Sequence, residues 1–462
     1  MHQNKGSDAD PPAATVFPLL FTPFEYYYYT DDSPEYPMVF PGELRFSGTL
    51  VRDHFFRALA ETVERHPMLR AVVDDSRRRP QWIAERCSGP HADWADESVP
   101  ITHPAGEYID LRSSPGLRTW VRTSPGGARV LFQFHHACCD GLAGMQFAAD
   151  FLASYKIATG EDCRRAGRRE LDVERLLRRG ELAGEQDPKP SLGIALRDAY
   201  VTASVWSRIL LRTPDVLAVP VGASAGKASP REILAFETET LNGEESAALR
   251  AIAASLDATP NDLLLRDFLL VLRDWNRRHA SDSPGRLRIN VPVNVRRREE
   301  IRMPVANRLG FGFVTAEPAD ADDPRKLLDV VRRETLRIKQ RKLGLYFLGG
   351  LLFACRVPGM VPWSLRRNRS FATAVLSNVG RFVPDRALRR DGRWSCGDLV
   401  LDRVAGVPPI RKLTRVAVIV GEYGGETTFC LRCDPHFFDA RETRALLSAF
   451  MERVRETLRR GN

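Results

Sequence analysis

The chain has 462 residues, of which 43% are hydrophobic and 27% are charged, so it is long enough for two domains or two fused halves, each with its own core. Its net charge of +9 comes from 68 basic and 59 acidic residues. No recognition helix, zinc finger or aromatic RNA-binding motif accompanies that charge, so nucleic acid is disfavoured as a partner.

Residues 1–73 predict a disordered tail followed by the first elements of a folded core. Residues 1–14 are polar and rich in proline and alanine, which predicts a disordered N-terminus without a signal segment and a cytoplasmic protein. Residues 17–29 are aromatic-rich and are expected to pack against the core. A helix is predicted over 51–65, ending before Pro67, and a strand over 69–73.

Residues 132–141 (FQFHHACCDG) predict an apolar strand that ends in two histidines, an Asp-Gly turn, and a helix from 142 to about 152. Neighbouring side chains on a strand point to opposite faces, so Phe132, Phe134 and His136 share one face and His135 lies on the other. Only one histidine can serve a site on the first face. We predict that His136 is a general base, since a neutral imidazole suits that role at neutral pH.

Two other interpretations of this motif are open. A histidine at the end of a strand is often a structural residue with satisfied hydrogen bonds. His135, His136, Cys138, Cys139 and Asp140 are also suitable metal ligands by type. Adjacent strand residues diverge, however, and no spaced pair of ligands follows, so the sequence predicts no metal.

Residues 161–231 are charge-rich, then rich in small residues and proline, which predicts a connector between two halves. Within it, 192–211 is expected to form a surface helix. Residues 222–226 (GASAG) match the nucleophile-elbow pattern, but turn residues follow where a helix is required. Gly226-Lys227 resembles a P-loop but lacks its remaining positions. Neither a serine hydrolase nor a phosphate-binding loop is predicted.

The second half, 232–462, predicts alternating strands and helices. Thr259, Pro260 and Asp262 predict a helix start, and Asp439 with Glu442 predicts another. Pro292 lies in a predicted strand over 287–296 and indicates an edge or a bulge. The apolar stretch 347–363 is too short and too interrupted to span a bilayer. It forms either a core helix or a surface that faces an acyl chain or a membrane.

The spacing His-His-x-x-x-Asp-Gly resembles the signature of the condensation-domain and wax-ester-synthase-like acyltransferases, in the chloramphenicol acetyltransferase-like superfamily. Further segments resemble that family in the expected order: RFSG, RHPMLRAVV, ATPNDLLL, VPVNVR, VANRLGFGF (with Ala306 where the family has glycine) and SNVG. The resemblance extends from about residue 15 to 458. It implies an α/β (α+β) fold of two chloramphenicol-acetyltransferase-like halves, each a mixed sheet with helices, with a tunnel between them. The halves would be 15–160, which carries the motif, and 232–462.

The resemblance also implies roles for individual residues. His136 would be the base within the motif formed by His135, Asp140 and Gly141. Arg296 would form a structural ion pair with Asp140, unless it is only one of three consecutive surface arginines. Ser377 and Asn378 would donate hydrogen bonds to a developing oxyanion.

The implied reaction is transfer of an acyl group from a thioester to a hydroxyl acceptor. Acyl-CoA is the expected co-substrate because no carrier domain is fused here, and an acyl carrier protein thioester is the alternative donor. No bound cofactor is expected. An amide-forming condensation enzyme that uses carrier-bound substrates and a non-catalytic binding module of the same fold are the competing functions. The modest positive charge suits a phosphorylated ligand or peripheral contact with an anionic membrane.

Overall fold

The computed structural model of the protein describes residues 16–84, 91–162, 167–181, 192–220, 233–280, 285–367, 369–383 and 391–460. The predicted tail 1–14 and the glycine patterns at 222–227 lie outside these residues. The strands are β1 (Leu19–Leu20), β2 (Val39–Ser47), β3 (Ala71–Asp74), β4 (Gln81–Ala84), β5 (Asp93–Asp96), β6 (Leu117–Ser124), β7 (Gly127–His135), β8 (Glu237–Leu241), β9 (Leu287–Asn294), β10 (Leu309–Ala316), β11 (Ala374–Arg381), β12 (Ser395–Cys396), β13 (Leu399–Gly406), β14 (Val416–Tyr423) and β15 (Glu426–Cys433). The α-helices are α1 (Pro23–Asp31), α2 (Arg52–Arg65), α3 (Gly141–Ala158), α4 (Leu192–Leu211), α5 (Gly243–Ser255), α6 (Pro260–His279), α7 (Pro324–Gln340), α8 (Leu343–Arg356), α9 (Met360–Arg366) and α10 (Ala440–Arg460).

Two mixed sheets form the two lobes of the molecule. The first has the strand order β12-β13-β2-β7-β6-β5 and carries the packed helices α2 and α3. The second has the order β10-β9-β11-β14-β15-β8, with α5, α6, α7 and α10 packed around it. A small sheet, β1-β4-β3, lies beside the first lobe. The predicted α/β fold of two mixed-sheet halves is confirmed.

Local sequence signals set the ends of several helices. Thr259 caps α6 in a capping box with Asp262, and Asp439 forms the same reciprocal pair with Glu442 before α10. Helix α2 ends at Arg65, and the residue that caps it, His66, precedes a proline. Helix α6 is buried along most of its length, so it forms the centre of the second core.

One segment of the second half belongs to the first sheet. Strand β13 pairs antiparallel with β2, so the chain crosses from the second lobe to the first and back. The buried carboxylate of Glu43 on β2 lies 2.6 Å from Nε of Arg129 on β7 and 3.7 Å from Nη2 of Arg403 on β13. The division at residue 232 therefore describes the order of the chain, while in space the second half contributes β12 and β13 to the sheet of the first lobe.

Strand β9 is an interior strand of the second sheet and has no bulge, which corrects the sequence prediction, although one side of β9 is unpaired at Pro292. Strand β9 pairs with β10 along its whole length, but with β11 only through Ile289 and Asn290. Beyond Asn290 the strands β9 and β11 separate, so Pro292 lies where one side of its strand is already unpaired. The local separation explains why a residue without an N–H group is tolerated inside the sheet.

Two buried arginines link the connector to the core. Arg179 forms a two-pronged contact with the carboxylate of Glu25 on α1, at 2.7 and 2.9 Å. Arg308 pairs with Glu300 and donates to the carbonyl oxygens of Arg179 and Glu181, each at 2.8 Å. These contacts tie α1, the connector and the loop before β10 into one buried network.

Candidate active site

His136 lies in a cavity between the two lobes. Strand β7 ends one residue earlier, and the backbone N–H of His136 donates to the carbonyl of Met38 at 2.7 Å. Phe132, Phe134 and His136 all line the cavity, as the alternation of the strand predicts. The cavity has an empty volume of about 1060 Å³, including its part open to solvent, and most of its wall is apolar. It receives side chains from both lobes, at the place where β9 and β11 separate.

Aromatic rings enclose the imidazole of His136. The ring of Tyr28 on α1 stacks on it with centroids 4.1 Å apart and planes 12° apart, and the Phe40 ring lies 5.0 Å away. Nδ1 of His136 is buried against the protein, where the backbone of His136 and Cys139 acts on the ring, so Nε2 is the ring nitrogen that retains access to the cavity. The side-chain amide of Asn307 donates to the carbonyl of His136 and fixes its backbone.

Burial lowers the pKa of His136 from 6.5 to about 4, because the surrounding rings desolvate the imidazolium. The carboxylate of Asp140 and nearby backbone groups act in the opposite direction, while His135 adds to the lowering. The imidazole is therefore neutral at neutral pH and can present the lone pair of Nε2 to the cavity. This is the protonation state that a general base requires.

His135 lies on the opposite face of β7 and is fully buried. Its Nδ1 accepts a hydrogen bond from the backbone N–H of Ala137 at 3.1 Å, so the proton of the neutral ring belongs on Nε2. Nε2 lies 3.3 Å from Oδ2 of Asp32, an ion-pair distance with an angle outside hydrogen-bond geometry. His135 thus holds the turn after β7 and does not face the cavity.

Asp140 is surrounded by donors. Its Oδ1 caps α3 by accepting from the N–H of Ala143 at 2.9 Å, and the same oxygen accepts from Nη2 of Arg296 at 2.9 Å. Its Oδ2 accepts from the backbone N–H of Arg308 at 2.7 Å. The structure thus brings Asp140 and Arg296 together, and the carboxylate joins the first lobe to the loop between β9 and β10. Three of the roughly four lone-pair sites of the carboxylate accept these structural hydrogen bonds, so Asp140 acts as a positioning residue behind His136.

Gly141 is the first residue of α3 and lines the cavity. Its backbone does not need a positive φ, so the expected sharp turn is an ordinary helix start. A Cβ atom at this position would meet only Cγ1 of Val379, at 3.9 Å. The absent side chain leaves space in the cavity beside the histidine.

The two predicted oxyanion residues have different positions. Ser377 on β11 lines the cavity together with Val379. Asn378 is exposed, is not part of the cavity wall, and its Oδ1 accepts from the N–H of Gly380 at 3.0 Å. The structure therefore brings Ser377 to His136's cavity and does not bring Asn378 there, because successive strand residues point to opposite faces.

Cys138 and Cys139 point into the core. Both are fully buried, and burial raises the pKa of each thiol above its usual range, so they are protonated and poor ligands. Within the described ranges, no three His, Cys, Asp or Glu side chains converge on a common point that could hold a metal ion.

Two residues of the site were not predicted. Tyr28 lies in the tyrosine run of α1, which was expected only to pack against the core, and nothing local distinguishes it from Tyr27 or Tyr29. Asn307 lies in the segment VANRLGFGF. The similarity of this segment to the family marks it as part of the fold but does not indicate a contact with His136.

No protein-family model matches the chain. Two curated relatives are uncharacterised proteins of Mycobacterium tuberculosis, from strains CDC 1551 and H37Rv. Each is 26% identical over 381 residues, which span 79% of this chain and 83% of the relative.

Several solved structures share the architecture over almost the whole chain. Polyketide synthase associated protein 5 from Mycobacterium tuberculosis is 16% identical, covering 97% of this chain and 98% of that chain, with a TM-score of 0.58. A mutant starter condensation domain of rhizomide synthetase in complex with C8-CoA is 13% identical, covering 96% and 95%, with a TM-score of 0.62. The epimerization domain of tyrocidine synthetase B is 13% identical, covering 99% of both chains, with a TM-score of 0.58. The chain has the two-lobed fold of condensation domains, which confirms the fold implied by the His-His motif.

Proposed function

We propose that the protein is an acyltransferase that moves an acyl group from a thioester to a hydroxyl acceptor, with His136 as the general base. The observation that carries this proposal is a neutral imidazole whose accessible nitrogen faces a largely apolar cavity. The likeness to condensation domains supports acyl transfer as the reaction class. Acyl-CoA is the proposed donor, because one structure of the same fold holds C8-CoA.

In the proposed step, Nε2 of His136 takes the hydroxyl proton as the acceptor oxygen attacks the thioester carbonyl carbon. The tetrahedral intermediate then collapses to the ester, its C–S bond breaks, and the imidazolium returns the proton to the departing thiolate. Ser377 is the side chain on the cavity wall that we propose as a donor to the oxyanion. The aromatic and aliphatic wall keeps water away from the thioester and so limits hydrolysis.

The low pKa of His136 has two consequences for this step. It makes the imidazole a weaker base than an ordinary histidine, and it makes the imidazolium a stronger acid toward the thiolate. The imidazolium exists only beside the developing oxyanion, whose negative charge offsets part of the cost of desolvation. Asp140 stabilises the same cation from behind.

The test measures thiol release from a panel of acyl-CoA and acyl-pantetheine thioesters with mixed alcohols and amines. His136→Ala is expected to lower acceptor-dependent release by about 10²- to 10⁴-fold, the usual contribution of a general base. His103→Ala, which removes a histidine outside this cavity, is the matched control and should retain wild-type turnover.

The acceptor panel separates the competing functions. Product formed only with amines would assign the amide-forming reaction instead of ester formation. Donors active only as pantetheine thioesters would favour a carrier protein over CoA. Undiminished turnover in folded His136→Ala contradicts the base assignment, and saturable ligand binding without any thiol release would favour a binding module.

A further inference from the structure

An exposed apolar surface lies on the side of the molecule formed by α8, α9 and the end of α4. We call it the α8–α9 face and define it by five side chains that point outward: Leu210, Leu211, Phe353, Val357 and Trp363. Their exposed fractions run from 38% for Leu210 to 81% for Leu211, with 60% for Phe353 and 54% for Trp363. Large apolar residues clustered in this way mark an interaction surface.

Exposed basic side chains lie at the ends of the two helices that form this surface. Between Glu334 and Asp385 the sequence contains no acidic residue. The basic residues in that interval are Arg337, Lys339, Arg341, Lys342, Arg356, Arg366, Arg367, Arg369 and Arg381. Arg356, Arg366 and Arg367 are exposed, and the Arg367 guanidinium lies 3.8 Å from the centre of the Trp363 ring.

The end of α4 belongs to the same face. Nη1 of Arg369 donates to the carbonyl of Leu210 at 3.0 Å, which places the end of α4 beside the segment that follows α9, and α4 itself packs against α8. Nearer the start of α4, Asp198 accepts a hydrogen bond from the hydroxyl of Tyr346. This is an acidic side chain near the face, and it is already engaged by a phenol.

The helices of this face lie on the molecule and do not cross it. Phe347, Leu348 and Leu351 of α8 are buried, and the Phe347 ring stacks on Trp206 of α4 at 4.9 Å. Among the described residues, no single helix is long and apolar enough to cross a bilayer, although α8 and α9 pass that test as a pair bent by 113°. One buried side and one exposed apolar side with arginines is the pattern of a helix lying in a membrane interface.

We propose that the α8–α9 face docks on an anionic lipid membrane. Apolar and aromatic tips would enter the boundary between headgroups and acyl chains, while the arginines contact lipid phosphates. An acidic protein would complement the arginines, but the outward apolar tips of Phe353 and Trp363 fit the acyl region that lies directly beneath the phosphates of a bilayer. Lipid supplies both kinds of contact.

The helices of the α8–α9 face pack against residues that line or contact the cavity. Phe347 of α8 packs against Phe311, which lines the cavity, with ring centroids 5.0 Å apart. Helix α8 also packs on α1, which carries Tyr28 against His136. Docking would hold the cavity close to acyl lipids. The proposal does not depend on the chemistry at His136.

The experiment is flotation of the full chain with vesicles of phosphatidylcholine alone and of phosphatidylcholine mixed with phosphatidylglycerol. The wild type should float with the mixed vesicles, bind neutral vesicles weakly, and dissociate from the mixed vesicles in high salt. The double variant Arg366→Gln/Arg367→Gln should bind the mixed vesicles about 25-fold more weakly, from about fivefold per arginine. Phe353→Ser/Trp363→Ser should also lose binding, whereas Ile301→Ser, an equally exposed apolar residue on another element, should not.

Thermal unfolding and turnover with water-soluble thioesters serve as checks that each variant is folded, and both should match the wild type. Failure of the wild type to bind anionic vesicles overturns the proposal, as does binding that both double variants retain. Capture of an acidic carrier protein by the same face without vesicle binding also overturns it, in favour of a protein partner. Loss of turnover in His136→Ala is a separate result and leaves the vesicle assay unaffected.

Discussion

The stack between Tyr28 and His136 makes a prediction that needs no substrate. The difference between a pKa of about 4 and the ordinary 6.5 corresponds to roughly 3 kcal/mol against the imidazolium. Tyr28 covers one face of the ring, so Tyr28→Ser should admit water there. We expect the pKa of His136 to rise by about 1, equivalent to ~1.4 kcal/mol. Tyr28→Phe keeps the stack and should leave the pKa unchanged.

The measurement is an NMR titration of protein labelled with carbon-13 in the histidine rings. His136→Gln identifies the signal by its disappearance, and circular dichroism at each pH confirms that the chain is folded. Tyr29→Ser is the positional control, because the Tyr29 hydroxyl donates a hydrogen bond to Asp75 and its ring does not stack on His136. A wild-type His136 that titrates near 6.5 would refute the argument from burial. Equal pKa values in Tyr28→Ser and Tyr28→Phe would refute the role given to the stack.

Three further predictions concern stability. Asp140→Ala removes a helix cap and a buried ion-pair partner, so it should lower the free energy of unfolding by ~3–5 kcal/mol. Asp140→Asn can still cap the helix, so its loss should be smaller. Equal urea midpoints for the two variants would contradict this prediction. Glu25→Gln should destabilise by a similar amount, ~3 kcal/mol or more, because it leaves Arg179 buried without a carboxylate, and a wild-type urea midpoint would argue against the buried network. Burial lowers the pKa of both His66 and His136 in the folded chain, so the unfolded chain binds more protons than the folded chain below pH 6.5. The melting temperature should therefore fall as the pH drops from 6.5 toward 4. The fall should be smaller in His136→Gln, which lacks one of the two histidines.

Features encoded by neighbouring residues were predictable from the sequence. The face of β7 that carries His136 follows from strand alternation, and the start of α6 follows from the side chains of Thr259 and Asp262. In each case the physical cause acts within a few residues of the motif. The same alternation also separates Ser377 from Asn378, but a functional assignment carried over from a family motif had treated them as a pair.

Features that depend on distant pairing were not predictable. Strand β13 joins the first sheet by pairing with β2, more than 350 residues earlier in the chain, and no local pattern distinguishes it from a strand of the second sheet. The stacking of Tyr28 on His136 likewise joins α1 to the end of β7. Pro292 was placed at an edge because a single sequence does not show that β9 and β11 separate beyond Asn290.

The position of His136 is a property of both lobes, although its motif lies in one. Its backbone N–H is held by Met38 of the first lobe, and its carbonyl is held by Asn307 of the second. Asp140, four residues later, accepts from Arg296 and from the N–H of Arg308, which belong to the loop that joins β9 to β10. That loop follows the part of β9 that has left β11, where the cavity opens. The contacts that orient the imidazole and the sheet separation that gives it space therefore both depend on how the two lobes are arranged.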